Sequence, residues 1–138
     1  MALLVGALLA FVVGLFATVS GLDRDRSFYP TVTIVIASYY SLFAVMGAST
    51  RALVLESLVA GAFLAVAIVG FRSSLWVVVI TLGAHGVFDL AHGIVMSNPG
   101  VPSWWPAFCL TYDATAAGYL AWLLTSGRIR AALTTARR

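Results

Sequence analysis

The sequence predicts an all-α integral membrane protein, a single domain built as a bundle of five transmembrane helices over residues 1–138. Of the 138 residues, 62% are hydrophobic and only 9% are charged, whereas a soluble domain carries about a quarter charged residues. The mean hydropathy is +1.02. So few charges cannot cover so much apolar surface in water, and the sequence therefore indicates lipid as the solvent.

Short polar stretches separate the first three predicted spans. Residues 2–22 contain no charged side chain, and a charged tetrapeptide ends this span. The second span, 30–49, opens with Pro30, because proline is tolerated in the first turn of a helix. The third covers 52–71 and contains Glu56. Each segment approaches the ~20 residues that cross a bilayer.

The last two spans follow the same pattern. The fourth, residues 75–96, begins after a tight Arg-Ser-Ser turn. Residues 97–103 contain two prolines and a glycine, which cannot continue a helix. The fifth span, residues 105–126, is followed by a basic tail.

The arginines predict the orientation of the bundle. With five spans, one side carries seven of them: Arg24, Arg26, Arg72, Arg128, Arg130, Arg137 and Arg138. The other side carries only Arg51. Because positive loops stay in the cytoplasm, we expect a cytoplasmic C-terminus and an outside N-terminus. The corresponding location is the cell inner membrane, crossed several times.

Charge and cysteine content narrow the possible partners. The net charge of +3 comes without any lysine, and no basic patch is interleaved with aromatic residues, so nucleic acid is not an expected partner. Cys109 is the only cysteine, which excludes an internal disulfide and suggests a packing role. The expected partners are membrane lipid and a lipophilic small molecule, with a second copy of the chain as a further option.

The most informative segment lies in the fourth span. His85, Asp89 and His92 are spaced i, i+4 and i+7, so they share one stripe of the helix. An aspartate at membrane depth costs at least ~3 kcal/mol on insertion scales. A partner, a cavity or a proton on the carboxylate must offset that cost.

Depth along the helices suggests which side chains meet. Counted at about 1.5 Å per residue, Asp113 on the fifth span reaches the level of Asp89. Glu56 and His92 lie nearer the outer end, where Glu56 has the alternative of extending to the interface toward Arg51. Every arginine lies at a helix end or in a tail, so histidines are the natural partners of the buried aspartates.

These residues favour an intramembrane acid–base enzyme of the isomerase, cyclase or epoxide-opening type. A carboxylic acid in an apolar pocket keeps its proton near neutral pH and can donate it. We expect Asp89 and Asp113 to form the acid–base pair, with His85 and His92 tuning them and Glu56 assisting. The expected substrate-binding residues are Tyr39, Tyr40, Tyr112 and Asn98, and no cofactor is expected.

The order of these residues resembles a family of small, uncharacterised bacterial integral membrane proteins. The likeness covers roughly residues 52–116: Glu56, then His85-x3-Asp89-x2-His92, then Asn98-Pro99, then Cys109 ahead of Asp113. The chain has Gly93 where that family often has a second histidine. Five helices with a buried His-x3-acid pair also resemble, more loosely, the emopamil-binding sterol isomerases, which implies proton transfer on a lipophilic substrate.

Three other functions fit the same residues. A metal ion can be bound by His85, Asp89 and His92, with Asp113 or Glu56 completing the set, and a haem needs only one histidine. Buried acids and histidines also form relays in proton-coupled transporters, although the sequence contains no inverted repeat. A purely structural subunit is the last alternative, and it leaves the buried acids without an explanation.

Overall fold

The computed structural model describes residues 1–131. Within that range the chain forms five helices: α1 Ala2–Ser20, α2 Phe28–Met46, α3 Thr50–Arg72, α4 Leu75–Val95 and α5 Trp105–Thr125. The all-helical prediction is therefore confirmed for these residues, and each boundary lies within three residues of the predicted one. Arg137 and Arg138, which contributed to the predicted orientation, lie outside the described residues.

Four of these helices, α1 to α4, are long and apolar enough to cross a membrane. Their lengths of 19 to 23 residues correspond to about 28–35 Å of helix, which matches a hydrocarbon layer of about 30 Å. The fifth helix, with 21 residues, is as long as α4 but more polar, and it contains Asp113.

Local chemistry explains where the helices begin and end. The helix α2 starts at Phe28, two residues before the predicted start at Pro30. Proline fits here because the N–H groups of the first turn have no acceptor within the helix, so the N–H that proline lacks is not missed. It ends at Met46 instead of residue 49, because Ser49 caps α3 by accepting a hydrogen bond from the Ala52 N–H at 3.2 Å. Gly21 ends α1 in the left-handed conformation, at φ 80°.

The packing order of the helices places α4 inside the bundle. The helix α1 packs on α5, α5 on α4, α4 on α3 and α3 on α2, and α2 also contacts α4. Close approach of α1 and α5 depends on Gly6, where an added Cβ would collide with the Phe108 carbonyl. With neighbours on three sides, α4 can bury a polar stripe.

Arg26 closes the arginine-rich end of the bundle. Its guanidinium donates hydrogen bonds to the carbonyls of Phe71 at 3.0 Å, Arg130 at 2.9 Å and Ala131 at 2.7 Å. Phe71 lies in the last turn of α3, and the other two residues follow α5. One side chain thus ties together the ends of two helices.

Candidate functional site

The stripe predicted on α4 is buried along its length. His85 and Asp89 are each 1% exposed, and His92 is 3% exposed. The glycine that follows His85 faces α5, since a Cβ built at Gly86 would lie 3.4 Å from Asp113 Cβ, in ordinary van der Waals contact. The side chain of Asp113 is therefore brought directly against α4.

His85 lies between two aspartates. Its Nδ1 is 2.7 Å from Asp113 Oδ2 and 3.4 Å from Asp89 Oδ2. Asp113 is completely buried. The three side chains form one group, which we call the inner cluster.

Tyr40 joins α2 to the inner cluster. Its hydroxyl donates a 2.6 Å hydrogen bond to Asp89 Oδ1. Its ring stacks on His92, with the ring centroids 4.1 Å apart and an interplanar angle of 23°. Substrate binding was predicted for Tyr40 from the sequence, whereas its hydroxyl donates to Asp89.

A second polar group lies nearer the loop between α4 and α5, and we call it the outer cluster. His92 Nε2 is 2.7 Å from Glu56 Oε1, and the same oxygen accepts a 3.0 Å hydrogen bond from Asn98 Nδ2. Asn98 Nδ2 also donates to the Tyr40 carbonyl at 3.0 Å. Asn98 therefore fastens the loop to α2 and α3.

The position of Glu56 corrects one sequence-based alternative. The side chain does not extend to the interface toward Arg51; it is 1% exposed and bound by His92 and Asn98. His92 was expected to interact with the aspartates, but the carboxylate that it contacts is Glu56. The predicted single polar group is therefore two clusters, which meet at Tyr40.

The carboxylates carry more hydrogen-bonding capacity than the protein uses. Among the described residues, Glu56 Oε2, Asp89 Oδ2 and Asp113 Oδ1 are buried oxygens without a hydrogen-bond partner. Histidine is the only basic residue within 4.0 Å of these side chains in residues 1–131. Because burying an unpaired charge is costly, these oxygens are free positions for a hydrogen-bond donor or a cation.

The inner cluster has the composition of a metal site. One nitrogen of His85 and one oxygen from each of Asp89 and Asp113 all lie within 4.8 Å of one another. An imidazole with two carboxylates suits zinc and related divalent transition metals. Three residues of the predicted metal set, His85, Asp89 and Asp113, are in this group. The fourth, His92, belongs to the outer cluster, where it contacts Glu56.

An apolar cavity of about 390 Å³ lies among α1, α2 and α5. Its wall consists mainly of apolar and aromatic side chains, among them Leu9, Val35 and Phe108. Tyr39 and Tyr112, both predicted to bind substrate, also line it, whereas Tyr40 and Asn98 are not among its lining residues. Its lining suits a lipophilic molecule.

Cys109 lies between this cavity and the inner cluster. The residue lines the cavity, is 1% exposed and precedes Asp113 by one helical turn, on the same face of α5. Sequence analysis assigned Cys109 a packing role and did not predict this position, because spacing alone cannot locate a cavity.

A second, more polar cavity of about 300 Å³ adjoins the outer cluster. His92 and Asn98 line it, together with residues of the loop. The outer cluster thus borders a cavity, whereas His85, Asp89 and Asp113 are not among the lining residues of the apolar cavity, which Cys109 and Tyr112 reach from α5.

Comparisons with protein-family models, with curated proteins and with solved structures found no match to this chain.

Proposed function

We propose that this protein is an intramembrane acid–base enzyme acting on a lipophilic substrate, with isomerisation, cyclisation or epoxide opening as the reaction class. The observation that carries the proposal is the position of His85. It lies within 3.4 Å of two buried aspartates, on a helix that packs against α5, and α5 lines the apolar cavity. The resemblance to small bacterial integral membrane proteins and the looser one to the emopamil-binding sterol isomerases are part of the same proposal.

The proposal includes a five-span topology with the N-terminus outside and the C-terminus in the cytoplasm. The helix α5 is as long as α4 and packs between α1 and α4. Among residues 1–131, five arginines lie at one end of the bundle and only Arg51 at the other. This asymmetry supports cytoplasmic placement of the arginine-rich end, which in bacteria faces inward from the inner membrane.

Charge balance supports a proton on the inner cluster. Asp89 and Asp113 face one histidine, so even a protonated imidazole leaves one negative charge in an apolar bundle. The Tyr40 hydroxyl compensates part of it by donating to Asp89. A proton shared among His85 and the two aspartates removes the remaining charge.

We assign roles by helix, because α5 carries both Asp113 and residues that line the apolar cavity, whereas Asp89 lies on α4. Asp113, one turn from Cys109, donates its proton to a double bond or an epoxide oxygen of the substrate. Asp89, with His85, accepts a proton released from a neighbouring carbon, and His85 returns it to Asp113. In an isomerisation or cyclisation the proton count is then unchanged at the end of the cycle. Tyr40 holds Asp89 in place.

Solvent deuterium tests isomerisation and cyclisation, the two reactions of this class that place the donated proton on carbon, without a known substrate. Protein purified in detergent is incubated in D₂O with a membrane-lipid extract, and mass spectrometry follows deuterium entering carbon-bound positions. We expect labelling of a lipophilic compound with the native chain, and loss of that labelling in Asp113→Asn and Asp89→Asn. Asp25→Asn is the control, because Asp25 is exposed and its carboxylate accepts hydrogen bonds from Ser27, remote from both clusters. Equal labelling in all four samples would contradict the proposal.

A metal centre is the second candidate, favoured by the three ligand atoms that lie within 4.8 Å of one another. Elemental analysis and an absorption spectrum of protein purified without chelators distinguish the two. One metal ion per chain, lost in His85→Ala and Asp113→Asn, would move these residues from acid–base roles to ligands. An absorption band of haem would instead indicate a haem with one of the two histidines as its ligand.

A further inference from the structure

A third cavity lies at the arginine-rich end of the bundle, far along the helices from the outer cluster. It measures about 460 Å³ and lies where α1 ends and α5 ends. Its lining residues are Thr18, Val19, Asp23, Arg24, Leu123, Arg128 and Ile129. The proposed enzyme chemistry makes no use of this cavity.

Two guanidinium groups line the cavity without a carboxylate partner. Arg24 and Arg128 are exposed, and neither lies within 4.0 Å of a carboxylate oxygen in the described part of the chain. Arg128 lies over the Trp122 ring, 4.6 Å from its centroid, which leaves its N–H donors available. By contrast, Arg26 is buried, and both of its terminal nitrogens already donate to backbone carbonyls.

The base of the cavity is polar and held in place by hydrogen bonds. Asp23 is 2% exposed, and its Oδ2 accepts a 2.7 Å hydrogen bond from the Thr18 hydroxyl. Tyr119 donates to the same hydroxyl at 3.1 Å, which links α5 to α1. With two arginines and one aspartate, the lining carries a net charge of +1.

The side of the cavity is apolar. Val19 lines it and is 79% exposed, and Leu15, one turn earlier on α1, is 46% exposed. These side chains lead from the arginines toward the middle of the bilayer. A ligand that fits has an anionic group at one end and hydrocarbon chains at the other.

We propose that this cavity binds the phosphate group of an anionic phospholipid, with Arg24 and Arg128 as its donors. Arginine pairs with phosphate through parallel N–H bonds, and basic pockets between helices on the cytoplasmic side suit anionic headgroups. The acyl chains lie along Leu15 and Val19. This site is independent of the proposed catalytic activity.

Native mass spectrometry of the delipidated full chain tests the site. The protein is titrated with phosphatidylglycerol and, separately, with phosphatidylcholine of the same acyl chains. We expect preference for phosphatidylglycerol, and a loss of about five-fold in its affinity for each of Arg24→Gln and Arg128→Gln. Arg72→Gln is the matched control, since it removes an exposed arginine from the same end that does not line the cavity.

Each outcome decides the proposal. An equal loss in Arg72→Gln would mean general attraction to surface charge and would overturn it, as would equal binding of the two lipids. Inorganic phosphate is titrated as a competitor. If it occupies the site and phosphatidylglycerol cannot displace it, the ligand is free phosphate and the lipid assignment is wrong. Circular dichroism confirms that each variant retains its helix content.

Discussion

The Nδ1 atom of His85 lies 2.7 Å from Oδ2 of Asp113, and this contact joins the polar stripe of α4 to α5. Asp89 approaches the same nitrogen at 3.4 Å from within α4. One imidazole nitrogen thus faces two carboxylates, and a proton or a cation at this point would be within reach of all three side chains. The predictions below follow from this arrangement and from the surfaces around it.

Tyr40→Phe should destabilise the protein while keeping the ring that stacks on His92. The substitution removes the 2.6 Å hydrogen bond to Asp89 and leaves a buried carboxylate oxygen without its donor. We expect a loss of about 1–3 kcal/mol in unfolding free energy, measured by denaturation in mixed micelles. Tyr119→Phe is the control; its hydroxyl bonds Thr18 in a partly buried site, so its effect should be smaller. Equal losses would contradict the role of Tyr40.

Asn98→Ala should loosen the loop between α4 and α5. The side chain donates to Glu56 and to the Tyr40 carbonyl, and its Oδ1 accepts from the Gly100 N–H at 3.2 Å. We expect faster hydrogen exchange at Gly100 and its neighbours, measured by mass spectrometry. The exposed neighbour Ser97, changed to alanine, should leave exchange unaltered. An unchanged exchange rate in Asn98→Ala would show that other contacts hold the loop.

Gly6→Ala should weaken the docking of α1. An added Cβ would collide with the Phe108 carbonyl and lie 2.5 Å from Thr111 Oγ1, so the helices must separate. We expect a loss of about 1–3 kcal/mol in stability, read as a lower melting temperature. In Gly61→Ala the new methyl group meets nothing within 4 Å. Alanine is the better helix former, so that variant should be neutral or slightly stabilised.

Val35→Trp should block the apolar cavity without disturbing the inner cluster. Val35 lines the cavity and is 47% exposed, so the larger ring has room to enter the cavity from its rim. We expect loss of deuterium labelling of the lipophilic compound and an unchanged melting temperature. Val45→Trp, on the same helix at a position 60% exposed and outside the cavity lining, should retain labelling. Retained labelling in Val35→Trp would mean that the substrate does not bind in this cavity.

The sequence predicted the helices well because hydropathy acts on whole segments. The spans differ from the observed helices only at their ends, where capping decides. Ser49, for example, was included in the second span because its helix cap cannot be read from hydropathy. The buried stripe of α4 was also predictable, since the spacing of His85, Asp89 and His92 depends only on helix geometry.

Pairing between helices could not be predicted in the same way. Depth placed Asp113 at the level of Asp89, but the rotation of each helix decides which side chain a histidine meets. In the structure, that rotation places Glu56 against His92 and both aspartates against His85. Tyr39 and Tyr40 illustrate the same limit. They are adjacent in sequence, yet Tyr39 lines the apolar cavity and Tyr40 binds Asp89.

The most direct test of the account is whether a carboxyl group of the inner cluster holds a proton at neutral pH. Infrared spectroscopy of the protein in lipid detects the C=O stretch of a protonated carboxylic acid. The account predicts such a band in the native chain and in Asp25→Asn, and its loss or shift in Asp113→Asn and Asp89→Asn. Absence of the band in the native protein would mean that both aspartates are ionised. A bound cation would then have to balance them, and the acid–base account would be contradicted.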